Sequence, residues 1–223
     1  MTGLVWAMGV LLASGATAAW FGRVGRDVSR MAAAGVVLAA VLGGLPALRV
    51  LSGGGSEELR LPWAVPCGEL HLELDALSAW FLLPVFGLSA VAAVSGAGYL
   101  GQSVRRRAFG PVWLWFNVLV ISLVLVLVAR NAVLFLVAWE VMAVSSFLLV
   151  GFEDERAEVR QAAWLYLVAA NLGTAFLVAL FLAIGKQTGL PASCWFLSAG
   201  MRVWRMAVAA ALCRVCLSWA AWP

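Results

Sequence analysis

The stretch AVLFLVAWEVMAVSSFLLVGF, from Ala132 to Phe152, is apolar for long enough to cross a bilayer and carries one acid, Glu140, in its interior. A hydrocarbon core about 30 Å thick takes about 20 apolar residues of helix. At 1.5 Å of rise per residue, Glu140 sits about 12 Å from the near end, close to the midplane. Five other stretches have the same character: Gly3–Phe21, Met31–Leu51, Leu77–Leu100, Val112–Ala129 and Ala162–Gly185. Only Arg130 and Asn131 separate the fourth from the fifth, so that turn is tight. The spacing predicts an all-α fold, a polytopic membrane bundle of about six helices over residues 1–190, followed by an irregular, atypical tail over 191–223.

Composition points the same way. Of 223 residues, 64% are hydrophobic and 12% charged, where a soluble domain is nearer half apolar and a quarter charged. That excludes an ordinary soluble enzyme and a disordered tail. The net charge of +4 comes from scattered arginines rather than one basic face, so nucleic acid is not an expected partner. The four cysteines are Cys67, Cys194, Cys213 and Cys216. The last two form a CxxC with no second ligand pair near it. There is no iron–sulfur cysteine set, no phosphate-cradling glycine loop and no nucleophile–base pair. Neither a cofactor nor a resident metal is expected, and no redox chemistry in this chain alone.

Charge along the loops sets an orientation. Arg23, Arg26, Arg30, Arg105, Arg106, Arg107, Arg156 and Arg160 fall on one side, and Arg49, Arg60, Arg130 and Lys186 on the other. The positive-inside rule puts the first set in the cytoplasm and the N-terminus outside. The first helix has no Lys or Arg before it and three arginines after it, the reverse of a cleavable signal, so it reads as a retained span in the plasma membrane.

The longest loop runs from Ser52 to Leu74. Gly53, Gly54, Gly55, Pro62 and Pro66 break any helix there. Glu69, His71, Glu73 and Asp75 then alternate with Leu70, Leu72 and Leu74, the period of one short strand with a polar outer face. Glu69, His71 and Glu73 are of metal-ligating type, but a solvated strand edge has the same composition, and that is the reading taken.

Chemistry is concentrated on Glu140. A charge at a helix centre costs about 2.5–3.5 kcal/mol on insertion scales, so an acid there needs a partner, a water-filled cavity or its own proton. No cation lies at its depth in this chain. The structural alternative is a protonated Glu bonding a neighbouring helix. Other polar residues in the spans are Asn117 and Ser122 on the fourth, Ser145 and Ser146 on the fifth, and Asn171 with Thr174 on one face of the sixth. Asn117, Ser145, Asn171 and Thr174 are candidates to continue a proton path from Glu140. Each taken singly also suits interhelical glue.

Two stretches resemble a known family. LDALSAWF, Leu74 to Phe81, resembles the entry to the third helix of antiporter-like membrane subunits, and AWEVMAVSSFLLV, Ala138 to Val150, resembles their fifth helix with its membrane Glu. The family comprises large membrane subunits of proton-pumping NADH:quinone oxidoreductase, of Mrp-type sodium/proton antiporters and of energy-converting hydrogenases. Ser145-Ser146-Phe147 and Asn131-Ala132 fit best the branch of hydrogenase 4 component B and formate hydrogenlyase subunit 3. The resemblance covers about residues 70–185.

It implies a proton-translocating subunit of a redox complex, with Glu140 as the family's Glu, protons as the cargo, and further membrane and peripheral subunits besides the lipid bilayer as partners. The alternatives are an Mrp-type Na⁺/H⁺ antiporter subunit and a structural subunit with a protonated Glu. In the family that Glu pairs with a Lys on a seventh helix. After Gly189 the family pattern stops, and Pro191, Cys194, Trp195, Trp204, Cys213, Cys216, Trp219 and Trp222 follow instead. We expect residues 191–223 to be a truncated or frame-shifted reading of a longer gene, and this fragment alone to conduct no protons.

Overall fold

The computed structural model describes residues 1–21, 25–65, 68–102, 110–153 and 155–187. The tail with Cys194, Cys213 and Cys216, together with Cys67, Arg23 and Arg105 to Arg107, lies outside the described residues, as do the side chains of Arg26, Glu69 and Lys186.

Among the described residues, six helices are long and apolar enough to span a membrane. They are α1 (Thr2–Phe21), α2 (Gly25–Leu51), α3 (Ala76–Gln102), α4 (Gly110–Val128), α5 (Ala132–Val150) and α6 (Ala157–Gln187). Two of them begin well before the apolar stretch that announces them. Hydropathy marks only the part of a helix that lies in lipid, whereas α2 and α6 carry extra turns into the interface. Glu158 sits in the first turn of α6, where an acid complements the positive end of the helix dipole. α3 runs unbroken through Pro84, and α2 through Pro46.

The turn between α4 and α5 is as tight as expected. Asn131 caps α5: its backbone is extended and its side chain accepts the Val133 N–H at 2.9 Å. The helix closes at Gly151, whose N–H returns to the carbonyls of Leu149 and Phe147, and a single 3₁₀ turn (Gly151–Glu153) leads on towards α6.

The loop after α2 corrects the sequence reading. Instead of one strand it forms a hairpin, β1 (Glu57–Val65) antiparallel to β2 (Gly68–Leu74), with Glu57 opposite Leu74 and Leu61 opposite Leu70. Pro62, which breaks a helix, is compatible with this strand. In a two-stranded sheet every strand is an edge, where a missing N–H is tolerated, and the ladder is irregular between Leu61 and Val65. Gly53 and Gly55 have φ of 98° and 71°, a left-handed backbone that suits glycine and turns the chain from α2 into β1.

The hairpin is a lid on one end of the bundle. Leu72 and Leu74 are buried against Met1, Leu4, Ala47, Val50, Leu82, Phe86, Val124 and Val128, with Leu59 and Leu70 packed alongside. Each such leucine contributes about 1.5–3 kcal/mol when taken out of water. The Met1 ammonium pairs with Glu57, so the N-terminus and the hairpin share one end. Deeper in the bundle, α1, α2, α3 and α4 meet through Ala7, Leu11, Ala32, Val36, Ala39, Ala93, Trp113 and Val120. Small residues allow this closeness, as is usual where lipid supplies no hydrophobic drive between helices. A Cβ at Gly43 would overlap the Phe86 ring, and one at Gly35 would lie 2.5 Å from Ser14 Cβ. The α5–α6 pair has a smaller core of its own, Phe147 with Ala163 and Leu167. Only 11% of the α6 span is buried, against 39% for α2 and α5.

Candidate functional site

Glu140 lies in the middle of α5 and is 3% exposed. Its Oε1 is buried and has no hydrogen-bond partner among the described residues, and the same holds for Nε1 of the adjacent Trp139. Buried polar atoms are nearly always paired, so two orphans side by side on one helix are unusual.

Two contacts fix which part of α6 stands level with them. Near the start of α5, Phe135 stacks on Trp139 at 5.9 Å and meets Phe181 edge-on at 5.8 Å. Near its end, Phe147 packs on Ala163 and Leu167. The helices are therefore antiparallel, and the depth of Glu140 falls between Leu167 and Phe181 on α6. Asn171 and Thr174 occupy that interval. Thr174 is fully buried and its hydroxyl donates to the Ala170 carbonyl at 3.1 Å. Asn171 Nδ2 donates to the Leu167 carbonyl at 2.9 Å.

The other candidates are placed differently. Ser145 is buried and its hydroxyl donates to Val141 O at 2.7 Å and Met142 O at 3.1 Å, within its own helix. Asn117, 1% exposed, reaches into α1: Nδ2 donates to Leu11 O at 2.9 Å and to Ser14 Oγ at 2.8 Å. Ser122 bonds Leu119 O at 2.8 Å. The structure thus places Asn171 and Thr174 in the interval of α6 that contains the depth of Glu140, keeps Ser145 on the same helix as Glu140, and commits Asn117 to the α1–α4 contact.

A second polar cluster, at the hairpin end, was not legible as a unit. Arg130, which divides the fourth span from the fifth, bridges Glu73 (Nε to Oε2, 3.0 Å) and Asp75 (Nη2 to Oδ2, 2.6 Å). Its backbone N–H donates to His71 O at 3.0 Å. Asp75 also caps α3, accepting the Ser78 N–H at 2.8 Å, while the Ser78 hydroxyl donates to Leu127 O at 2.7 Å. The Ser78 N–H holds the Asp75 carboxyl down to about 2, with the Ser78 side chain and Arg130 acting in the same direction against an opposing effect of burial. In turn the Asp75 hydrogen bond raises Arg130 above its ordinary value. The available signal was Asp75-x-x-Ser78 ahead of an apolar run, an N-terminal helix pattern.

The described helices form a polytopic membrane fold, the one expected from the resemblance to antiporter-like subunits. Comparison with known proteins bears out that resemblance. The chain is 38% identical over 112 residues to an uncharacterised protein of Mycobacterium tuberculosis, covering 50% of this chain and 17% of that one. It is 34% identical over 124 residues to NADH-quinone oxidoreductase subunit L of the same species, covering 53% and 19%. It is 29% identical over 121 residues to hydrogenase-4 component B of Escherichia coli K12, covering 54% and 18%. No family model matches. In fold it is similar to a chain of the Mrp complex from Dietzia sp., with a TM-score of 0.67, 24% identity, and 83% of this chain and 20% of that one covered. A chain of the membrane-bound sulfane sulfur reductase, an archaeal respiratory membrane complex, gives 0.65 at 21% identity, covering 82% and 28%. The matched stretch spans less than a fifth of the length of each of these curated relatives.

Proposed function

We propose that this chain forms part of the proton-translocating membrane subunit of a redox complex of the hydrogenase 4 or formate hydrogenlyase type, with Glu140 as a proton-carrying group. The observation that carries the proposal is the buried, unpartnered Oε1 of Glu140 in the middle of a membrane helix. An intramembrane acid is expensive, and its default explanation is a path for protons or ions. Asn171, Thr174 and Ser145 line the continuation of that path, and Asn117 supports it from the α1–α4 contact. The relatives named as a subunit of NADH-quinone oxidoreductase and a component of hydrogenase-4 support further membrane and peripheral subunits as partners. Redox chemistry is assigned to those partners. On this reading the chain lies in the plasma membrane with the N-terminus and hairpin outside, the orientation that the loop arginines favour.

The fold similarity to the Mrp complex favours a second reading, a sodium/proton antiporter subunit driven by ion gradients. A third reading, a structural subunit whose Glu140 only bonds a neighbour, predicts no transport effect. The test is proton flux in inverted vesicles carrying the chain together with its membrane partners. Glu140→Gln is expected to abolish coupled flux and Glu140→Asp to retain a fraction of it. Full flux in Glu140→Gln contradicts the first two readings, and flux that depends on Na⁺ rather than on the electron donor selects the second.

A further inference from the structure

The outer face of the hairpin gathers donors that no proton path requires. In the β1–β2 register Glu58 stands opposite Glu73, and Arg60 opposite His71. Residues two apart share a face of a strand, so these four form one polar surface, while Leu59, Leu70, Leu72 and Leu74 face the helices. One donor atom from each of Glu58, His71 and Glu73 lies within 4.8 Å of the others.

Two carboxylates directly opposite each other repel, and the cluster answers this with cations. Arg60 Nη2 holds Glu58 Oε2 at 3.0 Å, and Arg130 Nε holds Glu73 Oε2 at 3.0 Å. Each carboxylate has a second oxygen. An independent sign comes from the histidine. Its Nε2 is buried and without a hydrogen bond among the described residues, and the nearest carboxylate oxygen, Glu58 Oε2, is 3.7 Å away, beyond hydrogen-bond reach. A buried ring nitrogen with no partner, between two carboxylates, is the arrangement of an imidazole waiting for an electrophile.

We propose that Glu58, His71 and Glu73 form a binding site for a divalent transition ion of the Zn²⁺ type at the hairpin end of the bundle. One imidazole and two carboxylates suit Zn²⁺, leaving a fourth position to water. Mg²⁺ and Ca²⁺ favour all-oxygen shells and gain little from His71. Bonds to Zn²⁺ of about 2.0–2.2 Å draw the three donors together. Side-chain torsions supply that movement, since Glu58 is exposed and His71 and Glu73 are only partly buried. The two arginines compete with the ion for the same carboxylates, so Arg60 sets the affinity from outside the donor set.

His71 is the only histidine of the chain, so its modification by diethylpyrocarbonate, read by mass spectrometry, reports on this site alone. The experiment uses the full chain in detergent without a polyhistidine tag. Micromolar Zn²⁺ is expected to protect His71, and Mg²⁺ at the same concentration is not. Glu58→Gln should raise the Zn²⁺ midpoint by about ten-fold or more. Arg60→Gln, which removes a competing cation and which a misfolded hairpin would not mimic, should lower it. Absence of protection by Zn²⁺, equal protection by Mg²⁺, or an unchanged midpoint in Glu58→Gln would overturn the proposal.

Discussion

Glu140 and Asp75 are both carboxylates at the ends or centres of membrane helices, and the fold treats them in opposite ways. Asp75 stands at the mouth of α3 with a backbone N–H at 2.8 Å and Arg130 at 2.6 Å. Glu140 stands at the centre of α5, almost wholly buried, with one oxygen that meets no donor among the described residues. An acid that stabilises a structure looks like Asp75: capped, paired with a cation and within reach of water. Among the described residues the Oε1 of Glu140 meets no such support, and an unmet buried polar group costs about 1–3 kcal/mol. Pairing of the kind that supports Asp75 does not account for Glu140, and this is why we propose a transport role for it.

The sharpest break between the two comes from removing each in turn. Glu140→Leu takes an unpaired acid out of the bundle and is expected to raise stability, by up to about 1–3 kcal/mol, while abolishing proton flux. Unfolding in mixed micelles measures the first effect, and a stability loss there would mean that Glu140 has a partner in solution. Arg130→Met is expected to act in the opposite direction. It leaves Glu73 and Asp75 facing each other without a cation, at a cost of about 1 kcal/mol, since all three groups remain partly solvated. Asp75→Ala removes the α3 cap as well, a loss of about 1 kcal/mol. Its effect should overlap with that of Arg130→Met rather than add to it, which a double-mutant cycle reads directly.

Acid titration gives the smallest and most specific effect. The Asp75 carboxyl is lowered from its ordinary value of 3.8 to about 2 in the folded chain. Its contribution is fully present above about pH 4 and is lost as pH falls through about 2. The unfolding midpoint of the native chain should therefore fall more steeply over that window than that of Asp75→Asn. Equal slopes would mean that the cap and the Arg130 bridge are not formed.

How far these features were legible depends on where their causes lie in the chain. The six spans could be read because a bilayer demands a continuous apolar run, and each run is local. Glu140 could be read for the same reason, as a lone acid within such a run. The first strand of the hairpin could not. Pro62 and the triple glycine look like breakers, and what makes Glu57–Val65 a strand is pairing with Gly68–Leu74 and the burial of Leu72 and Leu74 on helices far away in sequence. Arg130 could be read only as a loop charge in a tight turn, because both its carboxylates arrive from β2 and the start of α3. Asn117 was legible as a buried amide, but its partner Ser14 was not, since the pairing depends on α1 and α4 meeting across about a hundred residues of sequence. The third member of the proposed metal triad was hidden for a related reason. The strand pattern offered Glu69, whereas the hairpin register supplies Glu58.

The central claim is that Glu140 sits inside the membrane, shielded from water, while the acids of the hairpin end do not. Carbodiimides test it on the native chain without substitution. The account predicts that a water-soluble carbodiimide applied to the chain in lipid vesicles, open to both faces, modifies Glu58 and leaves Glu140 untouched, as read by mass spectrometry of the two peptides. Modification of Glu140 at the rate seen for Glu58 would place that carboxyl in bulk solvent and contradict the account.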